Sequence, residues 1–244
     1  MIKNINHVNV NYTDSLYGKK EIVLLHGWGQ NIEMMEPIGN KLKKNNRVII
    51  VDLPGFGLSE EPKSVWTLSD YVSCIKTLLD SLNVRNPILI GHSFGGKISI
   101  LYASKYKVDK LILLASPYKA EIKKLSTKTR ILKSLKNVPI LNKLEGFAKK
   151  HIGSTDYRNA SPIMRKIMVY HVNTDLTCNL SKIKCPTLLI WGTLDKEVPI
   201  NQAYELEKLI DDAGVVVYDG CTHYAYLERL GQTISVIKNF IGDE

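Results

Sequence analysis

Residues 87–98 read Pro-Ile-Leu-Ile-Gly-His-Ser-Phe-Gly-Gly-Lys-Ile, and two different chemistries fit them. From Gly91 to Lys97 the stretch is G-x-x-x-x-G-K, the pattern of a phosphate-binding loop, whose glycines let main-chain N–H groups approach phosphate oxygens. From Gly91 to Gly95 it is G-x-S-x-G, the sharp strand-to-helix turn that lifts a serine hydroxyl above an α/β sheet. Both readings need a strand before the glycines and a helix after them. A phosphate loop also needs a Ser or Thr after its Lys to hold Mg²⁺, and Ile98 stands there. The apolar run that ends in an acid, Val48–Asp52, precedes the loop instead of following it. These departures set the phosphate reading aside and leave Ser93 as the candidate nucleophile.

A nucleophilic serine makes demands elsewhere in the chain: a base, an acid to orient the base, and N–H donors for the oxyanion. His223 lies in Asp219-Gly220-Cys221-Thr222-His223-Tyr224, just after the last strand-like run, and Asp195 closes Trp191-Gly192-Thr193-Leu194-Asp195, just after the preceding one. The chain order Ser, Asp, His is the one expected after a G-x-S-x-G elbow. His26-Gly27-Trp28-Gly29 follows the first central strand-like run. Main-chain N–H groups of Trp28 and Phe94 are therefore the expected oxyanion donors, with glycines leaving the approach unobstructed. Apolar residues beside these loops are candidate substrate-pocket walls: Gly27, Trp28, Phe94, Tyr118, Val198 and Tyr224. A serine before a helix is also a common cap, but a cap alone explains neither the Asp195 loop nor the His223 loop.

Short runs rich in Val, Ile and Leu and bounded by turn residues read as buried strands at 21–25, 47–51, 87–90, 110–115, 187–191 and 215–218. Segments 67–82, 94–105 and 201–210 repeat apolar residues every three or four positions, the period of a helix with one buried face. Strand alternating with helix implies a mostly parallel sheet covered on both faces, and the alternating stretch 6–12 suits an antiparallel edge. Residues 118–175 break the rhythm: they have helical spacing but no strand-like run. The chain is therefore expected to form an α/β core from 1–117 and 176–244, with 118–175 as a helical cap insertion.

The 244 residues are enough to bury a large core without staples. The four cysteines, Cys74, Cys178, Cys185 and Cys221, form no C-x-x-C pair and read as reduced thiols of a cytoplasmic protein. No metal ligand set, signal segment or membrane span is expected. The net charge of +9 is concentrated: residues 118–150 hold ten Lys and Arg against two Glu, a local +8. Such a run suits a solvated helical face; its functional readings are attraction of an anionic or carrier-protein-bound acyl substrate, or contact of a basic amphipathic helix with anionic lipid headgroups, and no nucleic-acid motif accompanies it. Oligomeric state and pathway leave no mark on the sequence.

The set His26-Gly27-Trp28-Gly29, Asp52-Leu53-Pro54-Gly55-Phe56-Gly57, Gly91-His92-Ser93-Phe94-Gly95-Gly96 and the Asp195 and His223 loops resembles the α/β-hydrolase superfamily over residues 21–117 and 185–241. Small carboxylesterases, among them those acting on pimeloyl-acyl-carrier-protein methyl ester, share the first two runs. The resemblance implies a mostly parallel eight-stranded sheet, a Ser93–Asp195–His223 triad, oxyanion donors at Trp28 and Phe94, and no cofactor. It further implies a serine carboxylesterase acting through an acyl-enzyme on a small or medium acyl ester. A carbon–carbon bond hydrolase or lyase of the same fold is the alternative, and a non-catalytic ligand-binding use of the fold is the alternative of another class. His26, His92 and Asp52 are expected to bond loop backbone, Cys221 to be packed, and His151 and His171 to lie on the cap surface.

Overall fold

The computed structural model describes residues 1–120 and 160–243. The expected cap is thus described only at its two ends, and the rest of the basic segment, with His151, lies outside the described residues.

Eight strands form one sheet: β1 (Ile2–Ile5), β2 (Val8–Asp14), β3 (Glu21–Leu25), β4 (Arg47–Val51), β5 (Ile88–His92), β6 (Lys110–Leu114), β7 (Thr187–Gly192) and β8 (Ala213–Tyr218). Their order across the sheet is β1-β2-β4-β3-β5-β6-β7-β8. The pairs β1–β2 and β2–β4 are antiparallel and every other pair is parallel. The antiparallel edge expected from the alternating N-terminus is the β1–β2 hairpin, and the six Val/Ile/Leu runs are the six central and far-side strands.

After a polar first residue in Glu21, Arg47, Lys110 and Thr187, the central strands β3, β4, β6 and β7 run apolar and buried because both faces of the sheet are covered there. Successive side chains point to opposite faces, and the core divides accordingly. Val23, Leu25, Ile49, Val51 and Leu89 pack with α2 (Leu68–Ser81), α3 (Phe94–Ala103) and α6 (Asn201–Leu209). Ile22, Leu24, Val48, Ile50 and Ile90 pack with α1 (Glu36–Leu42) and α8 (Leu230–Ile241) on the other side. Helix α2 starts at Thr67, whose side chain accepts the Asp70 N–H while the Asp70 carboxylate accepts the Thr67 N–H, a reciprocal cap. Its buried Leu68, Tyr71, Val72, Ile75, Leu78 and Leu79 are the positions that the three-and-four spacing selects. Helices α4 (Pro162–Asn173), α5 (Thr177–Leu180) and α7 (Ala225–Glu228) complete the described α-helices, and one 3-10 turn spans Ile32–Met34.

Because β3, β5, β6, β7 and β8 run parallel, their carboxyl ends share one edge of the sheet, where α/β folds gather functional loops. The loops after β3, β5, β7 and β8 carry Trp28, Ser93, Asp195 and His223. Among the described residues no helix is long and apolar enough to cross a membrane.

Candidate active site

Ser93 stands between β5 and α3 with φ 49° and ψ −108°, outside the regions that L-residues ordinarily occupy. Its side chain makes no cap hydrogen bond to α3, so the capping explanation does not hold. The turn is over-determined by its surroundings: the Ser93 N–H donates to the Leu114 carbonyl and the Gly95 N–H to the His26 carbonyl, each at 3.0 Å. A Cβ on Gly95 would lie 2.4 Å from the Leu25 carbonyl oxygen, so only glycine lets α3 begin against the end of β3. A residue held in a sparsely populated conformation by rigid neighbours is a mark of function. The Ser93 hydroxyl has no hydrogen-bond partner among the described residues and can rotate toward a base or a ligand.

Lys97, which a phosphate loop would present to its ligand, is instead 1% exposed. Its Nζ donates to the His171 carbonyl oxygen at 2.8 Å. The lysine faces protein, not an anion site, and the phosphate reading ends there.

His223 Nδ1–H donates to Asp195 Oδ2 at 2.8 Å. Asp195 Oδ1 accepts the N–H groups of Glu197 and Val198, both at 2.9 Å. The Asp195 side chain is fully buried, and the pair is reached from outside only through the imidazole. The two loops meet because Gly192 has no side chain: a Cβ there would lie 2.2 Å from the Cys221 carbonyl oxygen. His92, adjacent to Ser93, brings the elbow to this pair, its ring centroid 4.8 Å from that of His223. His92 ring nitrogens lie 3.2 Å from the His223 carbonyl oxygen and 3.2 Å from Gln30 Oε1. Burial holds the His92 pKa well below its ordinary value, and a neutral ring can donate to only one of the two oxygens.

The loop after β3 is shaped by two buried groups. His26 Nδ1–H donates to the Gly27 carbonyl at 2.7 Å while its Nε2 accepts the Leu53 N–H at 2.9 Å. This fixes the neutral tautomer, and burial lowers its pKa to about 4. Asp52 accepts the N–H groups of Ile32 and Leu58 and the Asn11 amide. Both residues are backbone organisers, as the sequence predicts. The Trp28 and Phe94 main-chain N–H groups have no acceptor among the described residues, and at the first position of α3 the Phe94 N–H has none within the helix either.

The expected pocket residues separate into two groups. Trp28 and Phe94 belong to an aromatic cluster with Phe56 and Tyr71, with ring centroids 4.9–5.3 Å apart for Trp28–Phe56, Trp28–Phe94 and Tyr71–Phe94. Tyr224 lies at the rim beside His92 and His223, its hydroxyl accepting from Gln30. Gly27 is under the same loop, bonded through its N–H to Gln30. Val198 supports the Asp195 carboxylate through its N–H. Tyr118 is turned away: its hydroxyl donates to Glu205 on α6, and its main chain bonds Gln202 and Leu176.

His171 is the correction. Expected on the cap surface, it is 8% exposed, stacked on Trp28 at 5.9 Å and 6° and lying 4.3 Å from the Phe94 ring. The signal was present in α4, where the buried Met164, Ile167 and His171 follow one another at three- and four-residue spacing.

A mostly parallel eight-stranded sheet, a strained serine between strand and helix, and an Asp–His pair on the following loops define an α/β-hydrolase fold. The chain is an α/β-hydrolase-fold protein, and its residues 20–130 match the family described as the alpha/beta hydrolase fold. It is 27% identical to a 2-hydroxy-6-oxononadienedioate/2-hydroxy-6-oxononatrienedioate hydrolase of Paraburkholderia phymatum, over 96% of this chain and 91% of that one. It is 26% identical to a pimeloyl-[acyl-carrier protein] methyl ester esterase of Aliivibrio fischeri, over 94% and 98%. An esterase of Exiguobacterium antarcticum shares the fold with a TM-score of 0.78 at 22% identity, over 99% of both chains. The relatives thus include ester hydrolases and a hydrolase of a 2-hydroxy-6-oxo dienedioate.

Proposed function

We propose that the protein is a serine hydrolase of carboxylic esters, with Ser93 as nucleophile, His223 as general base and acid, and Asp195 as the group that orients it. The observation that carries this reading is the positive-φ, uncapped Ser93 next in the chain to His92, whose ring lies 4.8 Å from the His223 imidazole, itself committed through Nδ1–H to a buried carboxylate. With Nδ1 protonated, His223 Nε2 is the basic nitrogen. It takes the Ser93 proton as Oγ attacks the acyl carbonyl, and the tetrahedral oxyanion is held by the Trp28 and Phe94 N–H groups. The same proton passes to the departing alkoxide, leaving an acyl-enzyme, and His223 then deprotonates water to release the acid and restore Ser93. A local charge of +8 in residues 118–150 supports an anionic or carrier-bound acyl group as substrate. The relative acting on a 2-hydroxy-6-oxo dienedioate favours a second reading, carbon–carbon bond hydrolysis by the same residues.

The test is fluorophosphonate labelling with peptide mass spectrometry on wild type and Ser93→Ala, followed by an ester panel of varied length and charge at low and high salt. The expected result is an adduct on the Ser93 peptide, absent from the variant, with ester turnover and a KM for anionic esters that rises with salt more than for neutral ones. An adduct without ester turnover moves the assignment to carbon–carbon hydrolysis. No adduct on folded protein overturns the serine-hydrolase reading in favour of a binding role, and equal salt effects remove the charge argument.

A further inference from the structure

One buried polar group beside the site is left without a partner. His171 Nδ1 is buried and has no hydrogen bond, and no bond to the other ring nitrogen is present among the described residues. The ring is held firmly in that state. Lys97, one turn beyond Ser93 on α3, donates its ammonium to the His171 carbonyl at 2.8 Å and so fastens the end of α4 to the nucleophile helix. The imidazole is clasped between Trp28 and Phe94, the two residues whose N–H groups are assigned to the oxyanion. In the serine-hydrolase reading proposed above, a ring in contact with both of these residues lies beside the acyl chain whose carbonyl oxygen their N–H groups hold.

An aromatic wall alone does not need a histidine. A phenylalanine would stack on Trp28 as well without burying a ring nitrogen, and a buried polar group with no partner is costly. The ring is neutral, because burial and the neighbouring Lys97 lower its pKa to about 3. A neutral imidazole offers one donor and one acceptor, which complements an uncharged hydroxyl or oxo group. We propose that His171 forms a specificity subsite against the Trp28–Phe94 aromatic cluster, hydrogen-bonding a hydroxyl or oxo substituent on the acyl part of the substrate. Lys97 is the positioning residue of that subsite. The proposal rests on the serine-hydrolase reading for where the acyl carbonyl lies.

It predicts a preference that the sequence motifs do not carry. The probes are p-nitrophenyl butyrate and its 2-hydroxy, 3-hydroxy and 3-oxo derivatives, each rate normalised to the ester's own hydroxide-catalysed hydrolysis. In wild type at least one substituted ester is expected to exceed the parent in kcat/KM by about tenfold or more, the scale of one hydrogen bond to an otherwise unpaired buried group. In His171→Phe that ratio is expected to fall to within about threefold, and in His171→Asn, whose amide can stand in for the Nδ1 edge, to recover in part. If no substituted ester is preferred by wild type, or the preference survives in His171→Phe, the subsite is overturned. Labelling of Ser93 is measured alongside. Should it fail, the free butyric, hydroxybutyric and 3-oxobutyric acids titrated against tryptophan fluorescence give the same ratio without a nucleophile. Equal binding of all of them overturns the subsite separately from the serine-hydrolase reading.

Discussion

The Asp195 carboxylate accepts two loop N–H groups through one oxygen and the His223 Nδ1–H through the other. An Asn at this position can keep the loop bonds with its carbonyl, but its NH₂ then faces Nδ1. The imidazole must turn its lone pair toward that NH₂ and carry its proton on Nε2, where it cannot accept one from Ser93. Asp195→Asn is therefore expected to lower kcat by about 10⁴ while leaving the thermal midpoint nearly unchanged. Turnover within tenfold of wild type would mean that another group orients the base. The Asp195–His223 pairing was legible in sequence because each residue lies a few positions after a strand-like run, in the order expected after a G-x-S-x-G elbow. The buried position of His171 was not, since it depends on which way one helix turns relative to Trp28 and Phe94. Residues of the segment expected to form a cap are assigned to a surface by default, and only the 164, 167, 171 spacing argues otherwise.

At the scale of elements, the site depends on how closely α3 approaches β3. Gly95→Ala would push a methyl group into the Leu25 and His26 carbonyl oxygens, 2.4 and 2.6 Å from the added Cβ. Main chain in the middle of a sheet cannot retreat as a side-chain tip can, so the strain is expected to cost about 1–3 kcal/mol and to displace Ser93, lowering activity as well. Gly231, in the first turn of α8, has nothing within 4 Å of an added Cβ and an ordinary φ. Gly231→Ala is expected to stabilise by about 0.4–1 kcal/mol through the unfolded chain's lost freedom. Urea unfolding of the two variants checks the contrast; equal shifts would contradict it. The same physics explains which elements could be read from sequence. The central strands are apolar on both faces and sharply bounded, so their limits came within two residues. Helix α1 carries Pro37 and Gly39 in seven residues, a poor helical sequence, and forms because Gly39 lets it sit against Ile50, whose side chain would lie 2.7 Å from an added Cβ. That contact is tertiary and leaves no local pattern. Helix α8, by contrast, spaces Leu230, Ile234, Ile237 and Ile241 toward the core, a periodicity present in the sequence although α8 is not among the helices expected from it.

For the molecule as a whole, the buried imidazoles make stability depend on acid in a definite direction. His26, His92 and His171 each have a lowered pKa, in every case chiefly through burial, with values of about 4 for His26 and about 3 for His171. In the unfolded chain ordinary imidazoles titrate near 6.5. Between those values the unfolded state binds protons that the folded state refuses, so unfolding becomes easier as pH falls. The stability is complete above about pH 6.5 and is lost on the way down toward the folded-state values. By pH 5 the His26 and His171 rings would each have given up roughly 2 kcal/mol, and His92 acts in the same sense. Two such losses are a large share of the roughly 5–15 kcal/mol that holds a domain together. The Asp175 and Glu228 carboxylates, held below their ordinary values chiefly by hydrogen bonds from Thr177 and Thr222, add acid sensitivity only below the ordinary carboxylate range around pH 4, so the imidazole effect is visible first. Urea midpoints measured at pH 7.5, 6.0 and 5.0 are therefore expected to fall steadily across that span. A midpoint that stays level to pH 5 would mean that these rings are charged or solvated in the folded state. The His26 tautomer that fixes the loop after β3, and the neutral His171 on which the acyl subsite depends, would then both have to be given up.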